Sequence, residues 1–329
     1  MSLDTHLPPE IIRQLSHLAV HSTERLNGSG LSGANIWKCH SPTHGMLCLR
    51  KWPTGHPDEI RLKFMHATMQ FARDRGLDFV PHLHRAGDQS YSQIRGCFWE
   101  VSQWMPGQAD YEQLPDPEKL DSAIDALADL HRVWFEFTHR PAATSPAVTQ
   151  RIELLSQWLG DQHLVASTGR AVRDVSEGTL CLETVKALQL HGNNLLGALN
   201  RIAAQSINLQ PVLRDIWSEH LLFEDRRVVG IIDYGAMKVD EPATDLARML
   251  GSLEPFNEQL RKQAVNRYNE RNITHPVTWE RVDLLDRSGS LLTAMQWMQW
   301  LVLERRPFPV NPKTLFDRWQ RALARTLVA

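Results

Sequence analysis

Cysteine is scarce. The four present, Cys39, Cys48, Cys97 and Cys181, show no C-x-x-C spacing, which argues against a disulfide framework or a zinc site. Three of them sit in apolar, strand-like stretches, as buried thiols of a reducing cytoplasm would. Long apolar runs are missing as well: the best, Leu291 to Leu303, is broken by Gln296 and Gln299, which speaks against a transmembrane helix. The N-terminus carries Asp4, His6 and Glu10 where an export signal needs an unbroken apolar region. A cytoplasmic protein without membrane contact is expected. Charge of neither sign is in excess, since 36 Lys and Arg stand against 38 Asp and Glu for a net of -2, so no global field calls for nucleic acid. With 18 Gly and 18 Pro, the chain is neither collagen-like nor low-complexity.

What is present is ordinary globular composition, 42% hydrophobic and 22% charged over 329 residues, about twice a typical ~150-residue domain, so two domains or lobes are expected. Pro8-Pro9-Glu10 and the apolar steps Ile11, Ile12, Leu15 and Leu18 predict a helix over 9–24. A glycine-rich entry at Gly28 to Gly33 leads into a hairpin, Ile36 to Cys39 and Met46 to Trp52. Helical spacing returns over 58–75, and a second strand pair over Tyr91 to Gln103 is broken at Arg95-Gly96. From Pro117 helices dominate, beginning with Leu120, Ile124, Leu127, Leu130 and Trp134 on one face. The stretch 139–149 reads as loop, and helical patterns run over 150–207 and 254–325. One hairpin interrupts them: Leu221 to Phe223, a polar turn, then Val228 to Ile232, ending in Asp233-Tyr234-Gly235.

The string Gly28-Ser29-Gly30-x-x-Gly33 is shared by dinucleotide-binding units and by kinase phosphate loops. A dinucleotide fold needs a strand over 20–27 and a helix over 34–42, the reverse of what the pattern predicts. The better reading is a flap whose backbone amides approach nucleotide phosphates. The second constellation is Asp215, six residues before the strand at Leu221, and Asp233 at the end of the returning strand. Phosphoryl transfer uses two such carboxylates, one to accept the proton of an attacking hydroxyl and one to hold the metal that bridges phosphates. His82 with His84, and His40 with His44, lie in turn-rich stretches without acidic partners and read as surface residues. Met295, Trp297, Met298 and Trp300 read as core.

Arg214-Asp215-x-x-x-x-His220, Ile232-Asp233-Tyr234-Gly235 and Glu241-Pro242-Ala243-Thr244-Asp245-Leu246-Ala247-Arg248 together resemble the aminoglycoside phosphotransferase and choline kinase family, whose loop reads H-G-D-x-x-x-x-N, followed by I-D-F/W and D-P-x-x-D-L-A. The likeness extends to Leu127 to His131, to Trp104-Met105-Pro106-Gly107 and to the glycine loop. It implies an α+β, bilobal protein-kinase-like fold: a β-rich N-lobe over 1–101, a hinge over 102–107, and over 108–329 a mainly helical C-lobe that contains the catalytic hairpin. It further implies Asp215 as catalytic base, Asp233 as metal ligand and Asp245 as the acceptor that fixes the catalytic loop. ATP would be bound by Gly28, Ser29, Gly30 and Gly33, by Gln103 and Trp104 at the hinge, and by the β-strand cation. Strand alternation puts Cys48 and Arg50 on one face, making Arg50 the first choice for phosphate contact and Lys51 the second. Glu59 is the one glutamate available as a helical acidic partner. Trp217, two residues beyond Asp215, is expected to wall the substrate.

Two departures stand out. His220 replaces the family's Asn, where imidazole suits softer metals than Mg2+ and would admit Mn2+; it is either a second metal ligand or a loop-packing residue. Leu213-Arg214 replaces His-Gly. The expected activity is ATP-dependent phosphorylation of a small-molecule hydroxyl, the alternative a nucleotide-binding protein of pseudokinase type. The sequence leaves the oligomeric state open. Across residues 256–329, twelve basic residues outnumber seven acidic ones, which points to a neutral or anionic acceptor rather than a polycationic aminoglycoside.

Overall fold

The structure, a computed structural model, describes residues 4, 7–26, 33–85, 87–138, 140–173, 175–273, 275–308 and 310–327. In chain order the elements are α1 (Pro9–His17), β1 (Ser22–Arg25), β2 (Asn35–Ser41), β3 (Gly45–Lys51), α2 (Glu59–Asp74), β4 (Leu83–His84), β5 (Ser92–Ile94), β6 (Cys97–Gln103) and α3 (Pro117–Phe137). Then come β7 (Arg140–Ala143), α4 (Pro146–Gly160), α5 (Leu164–Ala171), α6 (Val175–Ala203), β8 (Ile207–Val212), β9 (Leu221–Glu224) and β10 (Arg227–Ile231). The chain closes with β11 (Lys238–Asp240), α7 (Ala243–Leu253), α8 (Glu258–Arg271), α9 (Trp279–Met298) and α10 (Pro312–Leu327). No helix among the described residues is long and apolar enough to cross a membrane.

The chain divides into two compact units, Met1–Ala126 with Glu219–Gly235, and Leu127–Ser218 with Ala236–Ala329. In the first, an antiparallel sheet runs β1-β2-β3-β6-β4, with β5 also on β6. Alternation sorts β3. Leu47 and Leu49 join Trp37, Cys39, Trp99 and Val101 in a core covered by Ile11 and Leu15 of α1, while Cys48 and Arg50 take the opposite face. Trp37 stacks on Trp99 at 5.6 Å. α1 ends earlier than its apolar pattern suggests: Ala19 adopts φ +53°, the chain turns, and Ser22 to Arg25 pair with His40 to Trp37. Residues 35–41 are strand, so the arrangement required for a dinucleotide fold is absent. α2 begins at Asp58, whose carboxylate accepts the Arg61 amide at 2.7 Å.

The hairpin β9–β10, expected within the C-terminal lobe, belongs to the first unit. Local hydrogen bonds explain this. The Gln108 amide donates to the Phe223 carbonyl and the Phe223 amide to that of Gln108, both at 2.9 Å, and the Ile231 amide donates to Phe79 at 2.8 Å. Gly107 makes the approach possible: at φ +85° it lies so close that a Cβ would stand 2.7 Å from Val229 and 2.8 Å from the Phe223 carbonyl.

The second unit is helical, with a three-stranded sheet ordered β11-β8-β7. Stretch 139–149, read as loop, holds β7 and the start of α4. Ser145 accounts for the helix start, its hydroxyl accepting the Val148 amide at 3.3 Å and donating to buried Asp240 at 2.6 Å. Met295, Trp297 and Met298 of α9 are buried. β8 delivers the chain to Leu213, the start of the loop that carries Asp215.

Candidate active site

In the first unit a cavity of about 290 Å3 opens on the face of β3 opposite α1, lined by Cys48, Arg50, Glu100, Gln103, Trp104 and Asp233 among others. Arg50 is its electrostatic centre. Its Nη1 lies 3.5 Å from Asp233 Oδ1, its Nε 3.8 Å from Glu100 Oε1, and its guanidinium 4.8 Å over the Trp52 ring. Burial would lower the Arg50 pKa, but Asp233 and then Glu100 outweigh it and hold the cation. Lys51 turns away, its ammonium 5.5 Å over the Trp99 ring. Gly28, Ser29 and Gly30 lie outside the described residues; Gly33 has φ +73°.

The acid beside Arg50 comes from the neighbouring strand. Glu59 is at the exposed start of α2, bonded to Lys63 and to the Tyr91 hydroxyl, each at 2.7 Å. Glu100 of β6 stands opposite Arg50 in the antiparallel register. It accepts from Trp52 Nε1 and from His66 Nε2, both at 2.8 Å. Burial pushes the Glu100 carboxyl up, yet His66, then Arg50 and Trp52, bring it below the ordinary carboxylate value. His66 sits on α2 and is itself buried. Strand pairing is the signal that would have found Glu100, and register is not written in sequence spacing.

Asp233 adopts φ +64°, a left-handed conformation that swings a half-exposed carboxylate beside Arg50. Burial raises its pKa, and Arg50 and His220 more than reverse this, so it stays ionised below the usual range. His220 Nε2 is 3.8 Å from Asp233 Oδ2. Among the described residues no cluster of three or more His, Cys, Asp or Glu could hold a metal. A Mg2+ that arrives with phosphates needs only one or two carboxylates, the remaining ligands being phosphate and water. Asp233 fits that requirement, with the His220 imidazole within reach of a softer ion. His82, His84 and His44 come together through edge contacts of 4.9 and 5.2 Å. Burial, then His82 and His44, drops His84 to a pKa of about 4.

In the second unit, fully buried Asp245 at the start of α7 receives the Leu213 amide on Oδ2 and the Arg214 amide on Oδ1, each at 2.7 Å. His131 Nε2 donates to Oδ2 at 3.1 Å, its other nitrogen 2.8 Å from the Tyr268 hydroxyl. Two loop amides are thereby fixed just before Asp215. Arg214 has φ +68°, the conformation that glycine adopts without strain, at a cost of about 1 kcal/mol or more for arginine. Its guanidinium is held by Asp240 and by Gln150 at 2.9 Å. Arg248, one turn after Asp245 on α7, donates to Asp215 Oδ1 through Nε at 3.1 Å and Nη2 at 3.0 Å. Beside Asp215 is a cavity of about 240 Å3. Trp217 is not in its lining; its ring lies under the guanidinium groups of Arg248 at 4.6 Å and Arg318 at 5.0 Å.

The model of the phosphotransferase enzyme family matches residues 24–285. Among solved structures, an aminoglycoside phosphotransferase from Alicyclobacillus acidocaldarius is similar over 99% of this chain and 94% of its own, with TM-score 0.65 and 14% identity. A spectinomycin phosphotransferase solved with ADP and spectinomycin is similar over 98% of both chains, with TM-score 0.62 and 12% identity. The choline kinase of Streptococcus pneumoniae is similar over 97% of this chain and 99% of its own, with TM-score 0.56 and 14% identity. At these identities the likeness is one of fold. No curated protein sequence matches the chain.

Proposed function

The chain belongs to the phosphotransferase enzyme family and is a small-molecule kinase; from that premise we propose that it transfers the γ-phosphate of ATP to a hydroxyl of a neutral or anionic small molecule. The observation that carries the reading is the pairing of Arg50 with an ionised Asp233 at the wall of a cavity. A phosphate-directed cation and a metal-directed carboxylate stand side by side, as a nucleotide with its cation requires.

ATP brings the phosphoryl group and, with its Mg2+ or Mn2+, neutralises the charge that develops during transfer. Asp233 would hold the cation, His220 being its neighbour, and Arg50 would contact phosphate bidentately. Glu100, fixed by His66 and Trp52, keeps the guanidinium in place. The adenine would lie at the hinge over 102–107, against Gln103 and Trp104, with Cys48 leaving room beneath it. Asp215 would orient the acceptor hydroxyl and take its proton. The acceptor oxygen then bonds to the γ-phosphorus as the bond to the β-γ bridging oxygen breaks, giving ADP and a phosphate ester. Asp245, itself held by His131, fixes the two preceding amides, so Asp215 needs no reorganisation at the moment of transfer.

Asp215→Ala should lower phosphotransfer about 100-fold or more and leave nucleotide affinity nearly intact, since a general base is worth ~10²–10⁴ in rate. Asp233→Ala should weaken binding of the metal-nucleotide complex. Radiolabel transfer across sugars, amino alcohols, nucleosides and hydroxy acids, beside calorimetric ATP titrations, measures both. Wild-type turnover in Asp215→Ala would remove the base assignment, and nucleotide binding without transfer to any acceptor would favour the pseudokinase alternative.

A further inference from the structure

The cavity beside Asp215 is more basic than proton acceptance requires. Four arginines line it, Arg151, Arg214, Arg248 and Arg325, against two acids, Asp215 and Asp286. Three of the four have counter-charges: Arg214 has Asp240, Arg248 has Asp215 at 3.0 Å, and Arg325 has Asp286. Asp286 is already shared with Arg261 at 2.7 Å.

Arg151 is different. Its Nη1 donates to the Ala147 carbonyl one turn earlier on α4, at 3.1 Å, and its Nε is buried with no hydrogen-bond partner. No carboxylate among the described residues forms an ion pair with it. Burial, followed by the nearby Arg214 guanidinium, pulls its pKa down to about 10, the Asp240 and Glu241 carboxylates offsetting only part of this, so it remains a cation at neutral pH. A half-buried guanidinium whose Nε is enclosed without a partner, and which has no carboxylate of the described residues within ion-pair distance, is poorly satisfied in the free protein. It becomes favourable when a ligand brings the charge, and a guanidinium fork matches the planar or tetrahedral edge of an oxyanion.

We propose that the acceptor is an alcohol bearing an oxyanion, carboxylate or phosphate, seated in this cavity with its anionic group on Arg151 and its hydroxyl toward Asp215. The inference rests on the reading of Asp215 as the base and deepens it: Arg151 is the residue that sets acceptor charge. Arg214 shapes the same pocket and Arg248 keeps Asp215 oriented beside it. A cationic acceptor meets a guanidinium that no ion pair occupies, and a neutral one leaves that guanidinium without an ion-pair partner.

The test uses two matched series: glycerol, glycerate, glycerol 3-phosphate and 3-amino-1,2-propanediol; and glucose, gluconate, glucose 6-phosphate and glucosamine. Binding is read by calorimetry and transfer by radiolabel from ATP, on the full chain. At least one anion should exceed its neutral counterpart by about 30-fold or more in affinity or kcat/KM, the effect of one desolvated charge pair. Arg151→Met should shrink that ratio by a similar factor, with Arg151→Lys intermediate because an ammonium lacks the fork. The stronger arm, carboxylate or phosphate, identifies the anion. A neutral or cationic member ranking first, a ratio unchanged in Arg151→Met, or no binding by any anion would overturn the proposal. An anion that binds through Arg151 yet accepts no phosphoryl group would uphold this site and defeat the phosphotransfer reading; transfer to neutral or cationic members alone would do the reverse.

Discussion

At Arg50 a single side chain faces two carboxylates, and its strand neighbour Glu100 has the deeper hold. Glu100 is buried between Trp52, His66 and Arg50, and its carboxyl titrates below the ordinary value near 4.5. The native state therefore binds fewer protons than the unfolded chain below that pH, so this stabilisation is present above about 4.5 and is lost as pH falls through the native value. Glu100→Gln should cost about 2 kcal/mol or more at neutral pH, and its stability should fall less steeply with acid than that of the wild type. Urea unfolding between about pH 3 and 7 measures both slopes; parallel slopes would mean that Glu100 is not a source of the acid sensitivity. At this scale the sequence revealed what alternation and motif carry: Cys48 and Arg50 on one face, and Asp245 three residues before Arg248. Glu100, His66 and Arg151 were illegible, because each acquires its surroundings from strand register or helix packing rather than from spacing.

Among the elements, the long amphipathic patterns were readable and the short pieces were not. α3 follows its apolar face from Pro117 to Phe137, and β9–β10 falls where the turn chemistry puts it. β1 and β7 were missed because four residues carry too little periodicity, and each exists by pairing with a partner, β2 or β8. The hairpin's membership in the first unit was hidden for the same reason, since it depends on Gly107 and the bonds of Gln108 to Phe223. Gly107→Ala combines a positive φ with a Cβ inside contact distance of Val229 and Phe223. It should destabilise the protein by roughly 2 kcal/mol or more and speed hydrogen exchange at the Phe223 and Ile231 amides. A melting temperature equal to that of the wild type would show that the close approach is dispensable.

Over the whole molecule, a net charge of -2 conceals two local balances of different kinds. The cavity of the second unit keeps one guanidinium, Arg151, outside any ion pair among the described residues, whereas in the cavity of the first unit the cation is already engaged: Arg50 occupies the field of Asp233. An aquated divalent ion approaching Asp233 therefore meets a resident positive charge and gains only one carboxylate, too little to repay its lost hydration. Phosphate oxygens would change the terms: Arg50 would turn to them, leaving Asp233 to hold the metal. The site should behave as a gate that admits the cation only in the company of nucleotide phosphates. Calorimetric titration with Mg2+ or Mn2+ alone should give no measurable heat, and each should register once nucleotide is present. Arg50→Met should break the gate and let the cation bind unaccompanied; tight binding of free metal by the intact protein would show that no gate exists.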